Sequence, residues 1–144
     1  MQRICQILGW LLLSFLLISG GGMSYLILTH NPFWTASPLR QHFIPLGHAH
    51  AGVLGIVTLL YGLYLDKVNF SQQTRNWAAA VFIIGVLLMP GGFLISVLKE
   101  GATEPGKEFI MVPIGGFLVG VSFFTMAIGM FRARKLPDQT GNPS

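Results

Sequence analysis

Residues 77–98 read WAAAVFIIGVLLMPGGFLISVL, 22 consecutive positions without a charged side chain. A run of that length matches a bilayer, whose hydrocarbon core of about 30 Å takes roughly 20 helical residues to cross. Continuous apolarity without strict alternation marks a helix rather than a barrel strand. Working outward, residues 7–28, 46–65 and 109–131 are charge-free in the same way. The chain is therefore expected to be an all-α membrane protein, one domain over residues 1–144, with four transmembrane helices in a bundle. The connections are too short for a second domain, and no internal repeat is present.

Composition agrees. Charged residues make up 10% of the chain and hydrophobic ones 52%, where a soluble domain carries about 25% charge. A water-facing shell cannot be built from so few charges, which excludes a soluble enzyme, a nucleic-acid-binding domain and a disordered tail. The net charge of +4 then reads as orientation in a membrane. Arg3, Lys67, Arg75, Arg132, Arg134 and Lys135 fall on one side. Arg40, Lys99 and Lys107 fall on the other, diluted by Glu100, Glu104 and Glu108. The excess of Lys and Arg places both termini in the cytoplasm, as in a bacterial inner-membrane protein. Trp10, Tyr61, Tyr64 and Trp77 are expected at the cytoplasmic interface as belt aromatics. The single Cys5 rules out an internal disulfide framework and a covalent CxxCH haem attachment. The first span also has signal-peptide features, with Ser19–Gly22 as a small-residue stretch, but apolarity continues to Leu28 and favours a retained helix.

Small residues four apart, Gly20 and Ser24, Ala51 and Gly55, Gly116 and Gly120, are expected to let helix backbones approach. Pro90-Gly91-Gly92 is expected to kink the third span. Met89, Met111, Met126 and Met130 read as core or lipid-facing filler.

Packing does not account for the histidines. All four, His30, His42, His48 and His50, lie between residues 30 and 50. His30 and His42 read as loop residues. Pro45 is suited to start the second helix, which puts His50 roughly 7 Å down it. An ionisable group at that depth calls for a partner or a ligand. His48 and His50 are two residues apart, so they point about 200° from each other on a helix and do not chelate one ion. No Asp or Glu lies in any span, which disfavours di-iron and zinc-hydrolase sites. One imidazole in apolar surroundings suits haem b, held non-covalently. His50 is the expected iron ligand, facing inward with Leu54, Val57 and Tyr61. Ala51, Gly52 and Gly55 would give a macrocycle room. Arg40 and His42 would pair with its propionates, and His48 would face a neighbouring subunit or water.

Ala49-His50-Ala51-Gly52 at the start of the second span, with Gly91-Gly92-Phe93 in the third, resembles the membrane-bound styrene oxide isomerases. That resemblance implies a homotrimer with one haem b per subunit at the protomer interfaces and His50 as axial ligand. It also implies ferric iron acting as a Lewis acid that turns a small apolar epoxide into a carbonyl. The family's pocket Asn and Tyr correspond to Ile56 and Leu94 here, and His48 stands where the family has Arg. His48-Ala49-His50-Ala51-Gly52 is also similar to the haem-ligating helices of haem–copper oxidases. Two other functions stay open: a haem-based electron-transfer, carrier or gas-sensing subunit, with His48 as a possible sixth ligand, and a cofactor-free membrane scaffold.

Overall fold

The computed structural model describes residues 1–99 and 103–134. Of the charges used for orientation, Glu100 and Lys135 lie outside these residues. The chain is helical, with no strand among the described residues. Helix α1 spans Gln2–Leu28, the one-turn α2 Pro32–Thr35, α3 Pro38–Tyr64, α4 Gln72–Ile95 and α5 Met111–Arg134. A 3-10 turn at Lys107–Ile110 leads into α5. Four helices are long and apolar enough to cross a membrane, as the charge-free runs require.

The helices outrun those runs. At 27 residues each, α1 and α3 are about 40 Å long and exceed the hydrocarbon thickness. Absence of charge marks the lipid, whereas helix ends are set by caps. Ser37 accepts a hydrogen bond from the Arg40 backbone N–H at 3.3 Å, with Pro38 in the first turn. Ser71 does the same for Thr74 at 3.2 Å. Helix α3 thus starts at Pro38 instead of Pro45, and Pro45 lies inside it. Pro45 removes the N–H that would bond the Gln41 carbonyl, and Gln41 is exposed, where water can satisfy that group. The assignment of α4 likewise runs through Pro90 without a break.

His30 closes α1. Its φ is 49°, its N–H bonds the Ile27 carbonyl and the Asn31 N–H bonds that of Leu26. This is the two-bond αL ending that glycine usually makes.

Packing runs as a row: α1 along α3, α3 against α4, α4 along α5, while α1 and α5 do not meet. Cys5, Leu54, Tyr61, Leu65, Ala79, Phe82, Val86 and Val119 form the core. Tyr61 is part of it, stacked on Phe82 at 4.0 Å and 5% exposed, so it is not a belt aromatic. Trp10, Tyr64 and Trp77 are exposed, as belt residues are.

Glycines set the close approaches. A Cβ on Gly9, Gly52, Gly55 or Gly62 would meet the facing α1 or α3 within 3.3 Å. Between α4 and α5 the contact glycines are Gly85, Gly92 and Gly115. The expected pair does not serve: Gly120 faces open space and Gly116 reaches only the Met89 methyl at 3.8 Å. A Cβ on Gly115 would stand 2.6 Å from the Met89 backbone nitrogen and 2.8 Å from the Gly85 carbonyl oxygen. Backbone cannot yield as a side-chain tip does. Gly115→Ala should therefore cost about 1–3 kcal/mol by overpacking, while Gly120→Ala is near neutral. Denaturation midpoints of the two variants in detergent check this, and equal midpoints would refute it.

Candidate functional site

His50 is the thirteenth of the 27 residues of α3, about 18 Å along the helix from Pro38, deeper than a start at Pro45 implies. The half-buried ring lies against Phe93 of α4, centroids 4.9 Å apart. Its Nδ1 is 2.7 Å from the Leu46 carbonyl oxygen. A carbonyl only accepts, so Nδ1 carries the proton and donates. In the neutral ring the Nε2 lone pair is then left available. A metal-binding histidine usually has this arrangement, one nitrogen anchored to a carbonyl and the other free to ligate.

Phe93 also belongs to an aromatic group beside His50. Phe43, Phe93 and Phe109 lie mutually 5.4–5.9 Å apart. Below them, on the same face of α3 as His50, come Val57, Tyr61 and Tyr64, at i+7, i+11 and i+14. With Leu60, and with Phe123, Met126 and Met130 of α5, they line a groove of about 230 Å³. His50 and Phe93 are not among its lining residues; the groove begins at Val57, about 10 Å further along α3. The Tyr61 hydroxyl is buried without a hydrogen-bond partner.

His48 faces the other way, as the 200° separation requires. Its Nδ1 lies 3.0 Å from Ser19 Oγ on α1, and its ring packs over Gly20. Ser19 has one proton and its nearest acceptor is the Phe15 carbonyl at 2.7 Å. The consistent assignment has His48 donating to Ser19. His48 thus has a partner in its own chain at Nδ1.

Three further expectations need correction. Gly52 offers no open surface: a Cβ there would sit 2.8 Å from Leu16 of α1, so its lack of bulk serves helix packing. Arg40 is 5% exposed and spends its guanidinium on carbonyls. Nε donates to Val97 at 3.1 Å, one terminal nitrogen to Phe33 at 3.0 Å, and the other to Leu98 and Lys99, each at 3.3 Å. It also lies 4.3 Å from the Phe33 ring centroid. It ties the turn after α4 to the short helix α2, so propionate pairing would compete with those bonds. His42 is on helix α3, not in a loop; it is exposed and edge-on to Phe43.

Ile56 is 53% exposed on the outer side of α3, and Leu94 packs on Gly47. The residues missed by sequence reasoning are Ser19 and the Leu46 carbonyl. Ser19 looked like part of a cleavage signal, and a carbonyl four residues back leaves no trace in composition. Among the described residues no three His, Cys, Asp or Glu side chains come together to hold an ion. The donor chemistry of His50 fits a single-imidazole ligand such as that of haem. Comparison with known protein families, curated proteins and solved structures finds no match.

Proposed function

We propose that this chain is an integral membrane protein that binds haem b through His50 Nε2, leaving the opposite face of the iron open. The observation that carries this is the bond from His50 Nδ1 to the Leu46 carbonyl, because it fixes the tautomer and aims the free lone pair. Phe93 keeps the ring from turning. By the resemblance to the isomerases, which implies a homotrimer, the group would lie where the His50 face meets another copy.

Ferric haem with an open position supplies a Lewis acid for an epoxide oxygen. The chain's share is to orient the ligand, exclude water and offer an apolar groove to a small apolar substrate. Ile56 and Leu94 donate no hydrogen bond, so orientation of such a substrate rests on shape. Orientation with both termini in the cytoplasm of a bacterial inner membrane follows from the distribution of Lys and Arg.

The electron-transfer, carrier or gas-sensing alternative needs a second ligand. His48 lies on the opposite face of α3 with its Nδ1 held by Ser19, so it could supply that ligand only from a neighbouring subunit. His48→Ala should keep both haem content and coordination number, read from the ferric visible spectrum. A six-coordinate bis-histidine spectrum that becomes five-coordinate in this variant would favour electron transfer. Conversion of an aryl epoxide to its aldehyde by the purified protein tests the isomerase. Five-coordinate haem without any turnover would leave binding intact and remove the reaction.

A further inference from the structure

At the end of the bundle away from Arg40, a cavity of about 290 Å³ is lined by Gln2, Arg3, Leu65, Asp66, Gln72 and Arg75. The geometry points to this cavity as a binding site for the phosphate of an anionic phospholipid. It lies between the first turns of α1 and α4 and the connection after α3. Two arginines face one acidic side chain, Asp66, so the lining carries net positive charge. The first N–H groups of two helices open at the same end and favour an anion there.

The two arginines are differently held. Arg75 donates to the Asp66 carbonyl at 3.3 Å and to Gln72 Oε1 at 3.0 Å, but its Nε is buried with no partner. Among the described residues this Nε donor is unsatisfied in a half-buried side chain, and such donors are ordinarily paired. Arg3 is exposed and makes no hydrogen bond or ion pair among the described residues. It is free to close over an anion seated against Arg75.

Height in the membrane selects a lipid over a soluble anion. Exposed Trp77 follows Arg75 by two residues, about 3 Å along the helix, and aromatic belts mark the headgroup level. Ile4 and Ile7, exposed on α1 just inward of Arg3, provide apolar surface for acyl chains. Basic pockets between helices at this depth hold lipid phosphates in the same way.

The test uses the full-length protein in neutral detergent, titrated with phosphatidylglycerol, phosphatidylcholine or inorganic phosphate. Bound lipid is counted by native mass spectrometry and unfolding is followed by circular dichroism. Phosphatidylglycerol should bind in preference to phosphatidylcholine and raise the unfolding temperature. Each basic group near the headgroup is worth roughly fivefold in affinity, so the Arg3→Gln/Arg75→Gln double variant should lose about 30-fold. Arg3→Lys/Arg75→Lys should keep most of the binding. Arg3→Gln alone, at an exposed position, should lose about fivefold without touching the fold, which covers a double variant that fails to fold. Equal binding of the two lipids, or unchanged affinity in Arg3→Gln, would overturn the site. Stabilisation by inorganic phosphate equal to that by phosphatidylglycerol would overturn the lipid assignment in favour of a soluble anion.

Discussion

His50→Ala should yield a folded protein without haem: the Soret band is lost while the helical circular dichroism stays. The fold should survive because the His50 side chain bonds only within its own helix, to Leu46, and is half-buried. Alanine is also the best helix former, so the variant gives up one ring contact with Phe93 and little else. The iron would lose its only protein ligand, and a non-covalent macrocycle has no second tether. Added imidazole should restore part of the absorbance by supplying the missing nitrogen to the vacated space. Haem retained in His50→Ala at the wild-type level would displace His50 as the ligand. A variant without helical signal would shift the test to His50→Gln, which keeps bulk and polarity but not the lone pair.

Arg40→Met should be the most destabilising single change outside the core. Methionine keeps the apolar stem and removes every N–H. Four carbonyl contacts disappear, those of Val97, Phe33, Leu98 and Lys99, with the favourable charge at the C-terminal end of α4. Bonds to a charged donor are worth about 1.5–3 kcal/mol each when buried. Only the Val97 contact is fully buried, so the net loss is about 3 kcal/mol. Arg40→Lys should recover little, because an ammonium cannot reach acceptors spread around a planar fork. Chemical denaturation in detergent measures this directly. The role first expected from sequence predicts something else: a propionate partner could be removed with haem affinity falling and apoprotein stability unchanged. That pattern would contradict the structural role.

Arg40 also shows why helix number was readable and helix ends were not. Charge scarcity reports where lipid begins, so four apolar runs translate into four helices. A charged residue beside a run reads as water, and Pro45, suited to a first helical turn, placed the start of α3 seven residues too late. The start was written in Ser37-Pro38, a cap signal that depends on backbone N–H groups and not on lipid. Arg40 could be buried because four carbonyls from distant segments converge on it, and three of them lie 57–59 residues away.

Within the candidate site, periodicity was sound for directions and silent about neighbours. The opposed faces of His48 and His50 follow from about 100° per residue. That α1 covers Gly52 through Leu16, and that Ser19 waits for His48, depend on which helix docks where. The glycines teach the same point: Gly115 and Gly116 are adjacent, yet only Gly115 sits against the backbone of α4. A small-xxx-small pattern identified the neighbouring position, because spacing alone cannot tell which of two consecutive glycines faces the partner.

The most direct measurement is the visible absorption spectrum of the protein purified from membranes in mild detergent, with haem content set against protein content. A His50-ligated haem b predicts a Soret band and a pyridine haemochrome of protohaem at about one per chain, the expectation for one axial histidine per protomer. No Soret absorbance, either as purified or after reconstitution with haem, would contradict it and leave a helical membrane protein whose histidines serve packing.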